Sequence, residues 1–271
     1  MIKSELRIFF TAVMFLTRLP VPAFTDHSQD YLEKSTRYFP LIGWITGAIS
    51  ALTFIIFSKY IGTDIAILAS IIAGILTTGA LHEDGFADVC DAFGGGWTKE
   101  KILLIMKDSR LGTFGVIGLI CVLGAKFLLL KELPTFMPDL SSPTTNVLFN
   151  YRYFLLIVIA AHSISRLMSV LTINLFDYVT DPDTSKSKPV TSRKPTAGII
   201  VVACVFGLLP LTLLDWHFLF CLIPVMYAGY QLACYFKKWI GGYTGDCLGA
   251  IQQVSELTFY LCAIIVWKYF P

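Results

Sequence analysis

Charge is scarce in this chain: of its 271 residues only 15% are Asp, Glu, Lys or Arg, while 55% are hydrophobic and the mean hydropathy is +0.69. A soluble domain carries about a quarter charged residues, so water is excluded as the solvent for most of this chain. An excess of either sign is missing too, since 21 basic and 19 acidic residues give a formal charge of +2. That leaves no basic stripe of the kind that binds nucleic acid. There are only four histidines, and they form no cluster. The seven cysteines (Cys90, Cys121, Cys204, Cys221, Cys234, Cys247 and Cys262) include no CxxC pair and lie mostly inside apolar runs. A zinc site and a disulfide framework are therefore not expected. The opening MIKSELRIFFTAVMFLTRLPVP has no small-residue cleavage site after its apolar stretch, so that stretch is expected to stay on the protein.

Long apolar runs are what the chain has in abundance. A bilayer core about 30 Å thick needs roughly 20 such residues per helix. That ruler predicts seven spans, at 38–58, 63–81, 111–130, 153–175, 197–214, 217–236 and 248–268. An eighth run, 5–19, is shorter and closed by Arg18, Pro20 and Pro22, which predicts a half-depth or interfacial helix. Helices rather than strands follow from run length and from the need to satisfy each backbone group within its own segment in hydrocarbon. The expected fold is all-α: a single polytopic membrane bundle over 1–271, with no internal repeat and no soluble domain boundary.

Counting Lys and Arg by connection gives fifteen on one side of this scheme and four on the other, with Lys126 and Arg166 left inside spans. The rich side, which holds 1–37, 82–110, 176–196 and Lys237–Lys238, is expected to be cytoplasmic in a multi-pass inner-membrane protein. Arg166 lies nine residues from the cytoplasmic end of its predicted span and Glu256 eight from the end of its own, which predicts that the two pair.

Three stretches on the cytoplasmic side carry chemistry. In HEDGFADVCDAFGGG (82–96), Asp84, Asp88 and Asp91 recur at i, i+4 and i+7. At 100° per residue, three such carboxylates fall within about 60° of one helix face. Carboxylates crowded in this way repel one another unless a cation sits between them, and hard oxygen ligands suit Mg²⁺ or Mn²⁺. A solvated acidic helix start is the plainer alternative. Glu83 is a possible extra acid, and Gly94–Gly96 offer close backbone approach to a phosphate or a simple turn. In IMKDSRLGTFG (105–115), Lys107, Asp108, Ser109 and Arg110 suit a polyphosphate held with its metal, or are ordinary positive-inside charge. In GGYTGDCLGA (241–250), Thr244 and Asp246 open a helix whose N-terminus favours anions, Asp246 serving equally well as a plain N-cap. Arg18 and Arg37 flank the first loop as further phosphate candidates. His82 is a candidate ligand contact, with a structural histidine at the helix boundary the plainer alternative.

Taken in order, FLTRLPVP (15–22), RYFPLIGWITGAI (37–49), LHEDGFADVCDAF (81–93), IMKDSRLGTFG and GGYTGDCLGA resemble the cobalamin synthases, the adenosylcobinamide-GDP ribazoletransferases. The resemblance runs nearly the whole chain, with Glu83 and Ala92 standing where the family pattern has Leu and Gly. It implies an Mg²⁺-dependent membrane enzyme of late coenzyme B12 assembly. Such an enzyme joins adenosylcobinamide-GDP to α-ribazole or its 5′-phosphate and releases GMP. The expected partners are those two substrates and membrane lipid, and an oligomer is compatible with them. For the proton of the attacking hydroxyl, Asp91 is the first candidate acceptor and Asp108 the second. The spaced aspartates are also similar in chemistry to those of CDP-alcohol phosphotransferases. A membrane transferase acting on lipid and a transporter are the competing classes.

Overall fold

The computed structural model describes residues 2–134, 151–179 and 194–270. Asp181, Asp183, Lys186, Lys188 and Arg193 of the basic loop lie outside the described residues. The described chain is helical: α1 (Ile2–Leu16), α2 (Gln29–Ser35), α3 (Phe39–Tyr60), α4 (Thr63–Thr78), α5 (Leu81–Gly95), α6 (Lys99–Met106), α7 (Thr113–Glu132), α8 (Arg152–Leu175), α9 (Ala197–Leu208), α10 (Leu222–Ile240) and α11 (Gly245–Tyr269). Short 3₁₀ turns at Thr36–Tyr38, Leu209–Leu213 and Trp216–Cys221 join some of them.

Five segments are long and apolar enough to cross a membrane: Gln29–Tyr60, α7, α8, Trp216–Ile240 and α11. They coincide with the runs at 38–58, 111–130, 153–175, 217–236 and 248–268. The runs at 63–81 and 197–214 fall on shorter helices, for identifiable reasons. Helix α4 stops at Gly79, whose φ of 66° caps it in the left-handed conformation, and Ala80 follows at φ 61°. The chain then turns by 90° into α5, so that α4 and α5 together count as at most a sixth crossing. Helix α9 gives way to a 3₁₀ turn containing Pro210, which has no N–H to continue the ladder. Helix α1, with 15 residues, is about 22 Å long and falls short of the hydrocarbon thickness.

Helix α8 is the axis of the bundle: 78% of its most apolar stretch is buried, against 22% for α7 and 28% for α10. Its principal neighbour is α3. A Cβ on Gly43 would collide with the backbone of His162, and one on Gly47 would come within 2.9 Å of the Ile159 Cα. These two glycines, four residues apart on one helix face, allow the two backbones to touch, the usual way membrane helices associate when hydrophobicity cannot drive them together. Trp44 between them donates its Nε1–H to the Phe206 carbonyl at 2.9 Å, adding α9 to the contact. The outward faces carry Ile56, Leu76, Ile120, Leu128, Val201 and Ile223, all exposed, as lipid contact requires.

The ends of the helices are fixed at the face that carries the polar motifs. The Arg18 N–H donates to the Thr77 carbonyl at 2.8 Å, tying the segment after α1 to the end of α4. An isolated bridge pairs Tyr178, just after α8, with Tyr243, just before α11. Its bonds are Val179 N–H to the Tyr243 carbonyl and Tyr243 N–H to the Asp177 carbonyl, each 3.0 Å. Replacing Gly43 by Val should force α3 off α8 and lower stability by about 1–3 kcal/mol or more, read as a reduced Tm in detergent. Gly124→Val, with nothing within 4 Å of the added Cβ, should leave Tm nearly unchanged.

Candidate active site

Helix α5 is laid across the bundle by the bend at Gly79–Ala80, and the left-handed Ala80 there costs about 1–2 kcal/mol. Close contact with α11 holds it in place. A Cβ on Gly85 would lie 3.0 Å from the Asp246 backbone, and one on Gly249 would lie 3.1 Å from the His82 carbonyl. Two glycines thus seat the His82–Gly85 face of α5 against the first turn of α11, with Asp84 and Asp88 on the neighbouring face toward the cavity. Thr244 begins that turn, its hydroxyl accepting the Cys247 N–H at 3.3 Å.

A cavity of about 440 Å³ opens where these ends meet, a size suited to a small-molecule ligand. Its polar wall contains Asp84 and Asp88 from α5, Lys107, Asp108 and Ser109 from the loop after α6, and Thr244 and Asp246 from the start of α11. His82, Arg166, Ser169 and Tyr178 complete that wall. The rest is apolar: Phe15, Leu16, Phe39, Leu81, Leu103, Met106 and Leu248. All three motifs therefore reach one cavity, although 138 positions separate Thr244 from Met106, which its hydroxyl touches at 3.6 Å.

Other expected site residues are placed elsewhere. Asp91 is buried, and both of its oxygens accept backbone N–H groups, from Gly112 at 2.7 Å and Gly115 at 2.8 Å. It caps α7 from a neighbouring helix and does not line the cavity. The helical wheel put it beside Asp84 and Asp88, but seven residues of rise carry it about 10 Å along the axis from Asp84. The structure therefore places Asp91 at the start of α7, apart from the wall that Asp84 and Asp88 share. Among the described residues no three His, Cys, Asp or Glu side chains converge to hold a metal.

Glu83 lines a smaller chamber inside the bundle rather than the cavity, accepting from Gln253 Nε2 at 2.9 Å. Arg37 is held by Glu5 at 3.2 Å and by the Lys34 carbonyl at 3.0 Å. Arg18 is exposed and packs over Gly79. Neither arginine lines the cavity. Arg110 folds back on Asp108 at 2.6 Å on the exposed surface, and that hydrogen bond raises its already high pKa. Gly94 and Gly96 face Phe114 and Ile102 rather than a ligand.

Beneath the cavity lies a second, small chamber of about 30 Å³, room for a water. The anticipated Arg166–Glu256 ion pair does not form. Glu256 pairs with Lys126 at 3.1 Å, with His162 Nε2 3.6 Å away, and accepts from Gln252 Nε2 at 2.7 Å. Lys126 also donates to Gln253 Oε1 at 3.1 Å, while Arg166 Nη1 donates to the His162 carbonyl at 2.9 Å. Reading spans one at a time leaves open which of two interior cations meets an interior acid, because helix order around the axis decides it. Sequence reasoning also missed Ser169 as a wall residue. Its signal was the i, i+3 spacing from Arg166, which puts both on one face of α8.

The family profile of cobalamin-5-phosphate synthase matches residues 8–264. A protein of Leptospira interrogans, named adenosylcobinamide-GDP ribazoletransferase, is 42% identical over 275 residues, covering 98% of each chain. Proteins of the same name from Shewanella frigidimarina and Shewanella pealeana are 41% and 40% identical, covering 97% of this chain and 95% and 97% of theirs. No solved structure matches the chain.

Removing one member of a buried ion pair leaves the other uncompensated, so Glu256→Gln should lower stability by about 3–5 kcal/mol. In a double-mutant cycle Lys126 and Glu256 should couple more strongly than Arg166 and Glu256, as measured by unfolding in detergent. Asp91→Ala should cost about 1–3 kcal/mol through the uncapped N–H groups of α7. Equal coupling of both cations to Glu256 would overturn the network as described.

Proposed function

This chain belongs to the cobalamin-5-phosphate synthase family, and we propose that its 440 Å³ cavity joins adenosylcobinamide-GDP to α-ribazole or its 5′-phosphate, releasing GMP. The observation that carries the reading is the meeting of Asp84, Asp88, Lys107, Asp108, Ser109, Thr244 and Asp246 on one wall. In the reaction a hydroxyl oxygen of the acceptor forms a bond to the cobinamide-bearing phosphorus. The phosphoanhydride bond to guanylate breaks, GMP leaves with the electron pair, and the hydroxyl proton passes to a carboxylate.

The donor set fits Mg²⁺, which commonly takes one or two protein carboxylates and leaves its other positions to waters and phosphate oxygens. Asp84 and Asp88, one turn apart and both on the wall, are the two that would hold it. When bound, it supplies positive charge against the phosphate oxygens as the anhydride breaks. Lys107 and Ser109 hold phosphate oxygens from the loop side. The first turn of α11 offers N–H groups to the same anion, while Thr244 keeps that turn in place. Asp108, which lines the cavity on the side of that loop and is oriented there by Arg110, takes the proton. The apolar wall excludes water, which would otherwise hydrolyse the donor, and offers a surface to the large organic parts of both substrates.

The parity of the chain supports seven crossings. Phe39, Leu81, Ser109, Tyr178 and Thr244 share one cavity and hence one side of the membrane. Leu81 and Ser109 are joined by α5 and α6 on that side, while between Phe39 and Leu81, Ser109 and Tyr178, and Tyr178 and Thr244 the chain leaves and returns. Helix α4 must therefore return what α3 carries out, and α9 must oppose α10, short as both are. The excess of basic residues on the same side supports a cytoplasmic cavity at the inner membrane.

Asp84→Asn and Asp88→Asn should each lower turnover at least about tenfold and raise the Mg²⁺ needed for half-maximal rate, without changing Tm. Asp177→Asn, whose side chain is 78% exposed beside Lys194, is the control expected to stay active. Full activity of the Asp84→Asn, Asp88→Asn double variant at an unchanged Mg²⁺ requirement would refute the metal assignment. For topology, single cysteines in a cysteine-free background should react with an impermeant reagent on intact cells at Trp216 and not at Trp97. Both positions are well exposed. The reverse pattern inverts the assignment.

A further inference from the structure

Two independent features of Arg166 point beyond the role of an interhelical tie. It is only 2% exposed, yet it lines both the large cavity and the small polar chamber, so it forms part of the partition between them. Its hydrogen-bonding capacity is also incompletely used. Nη1 donates to the His162 carbonyl at 2.9 Å and lies 3.3 Å from His162 Nδ1, while Nε has no partner. The acid expected to neutralise it, Glu256, is paired with Lys126 instead.

A buried guanidinium short of partners is costly unless something completes it. The composition of the cavity wall indicates what that is. Four carboxylates line it, Asp84, Asp88, Asp108 and Asp246, against two cations, Arg166 and Lys107. Lys107 is exposed, so its charge is hydrated and screened. Arg166 is buried, so its field is stronger, and its planar fork suits phosphate oxygens. A diphosphate entering this cavity therefore finds its strongest protein-borne attraction at Arg166.

We infer that Arg166 binds a diphosphate oxygen of the donor at the buried end of the cavity, with the His162 carbonyl orienting its guanidinium. This rests on the reading of the cavity as the transfer site. Glu83 and Glu256, across the partition in the small chamber, balance the positive charge of Lys126 and Arg166 when the donor is absent.

The test uses the full-length protein in detergent with Mg²⁺, comparing Arg166→Gln and Arg166→Lys with the unaltered chain. With α-ribazole as acceptor, Arg166→Gln should raise KM for adenosylcobinamide-GDP about 10- to 100-fold, the loss of one charge-assisted contact, and leave KM for α-ribazole nearly unchanged. Inorganic pyrophosphate, titrated calorimetrically, should bind more weakly by a similar factor, and Arg166→Lys should fall between. If Arg166→Gln fails to fold, Arg166→Lys carries the same comparison. An Arg166→Lys protein of unaltered Tm, donor KM and pyrophosphate affinity would overturn the inference. So would loss only of a preference for α-ribazole 5′-phosphate over α-ribazole, which would assign Arg166 to the acceptor. Pyrophosphate binding that depends on Arg166 in a protein that never turns over the donor would support the anion contact and refute the transfer reaction alone.

Discussion

The ion pair between Lys126 and Glu256, 3.1 Å long and nearly sealed from solvent, is the interaction around which the bundle is organised. It joins α7 to α11 directly. Through Gln253 it reaches Glu83 on α5, through Gln252 it reaches Ser165 on α8, and through His162 it reaches Thr46 on α3. Five helices therefore share one polar network. In a membrane interior bulk water does not compete for these groups, so moving any one of the five helices would take a buried polar group from its partner. Apolar contact with lipid-like neighbours has no such directionality.

Backbone approach is the second constraint, and glycine supplies it at both levels of the molecule. Gly43 and Gly47 let α3 lie directly on α8, within the membrane-crossing part. Gly85 and Gly249 do the same for α5 and α11 at the cavity. The second contact has chemical consequences. It brings Asp84 and Asp88 to the same cavity as Asp246 without an intervening layer of side chains. Asp91, one turn further on, fastens α5 to the start of α7, so that the loop carrying Lys107, Asp108 and Ser109 cannot drift from the same cavity. Asp91 thus ties α5 to the segment that follows that loop.

The two cavities divide the charged groups between them. Carboxylates gather in the larger cavity, and the small chamber holds two acids and two cations. Arg166 belongs to both. A buried cation at the base of an acidic cavity draws a polyphosphate inward, and carboxylates nearer the opening need a divalent ion before they tolerate the same ligand.

Much of this was legible from sequence. Apolar run length determined that the chain is a helical membrane protein, because a bilayer imposes a fixed thickness and forbids unsatisfied backbone. The alternation of basic residues grouped the three polar loops on one side, and Asp84, Asp88, Lys107, Asp108, Ser109, Thr244 and Asp246, all read as site residues, do share one cavity. Local rules failed where distance along a helix or between helices mattered. The wheel gives the angle of Asp91 but not the 10 Å of rise that delivers it to α7. Hydropathy finds Lys126, Arg166 and Glu256 inside spans but is silent on which helix lies beside which. The 90° turn at Gly79–Ala80 depends on two left-handed residues, one of them an alanine that no local preference would put there. Sequence by itself determined the solvent, the helices and the chemistry of the loops, since these follow from composition and short-range spacing. Tertiary structure alone decided which acids line the cavity and which cation pairs with Glu256, since both depend on how one helix packs against another.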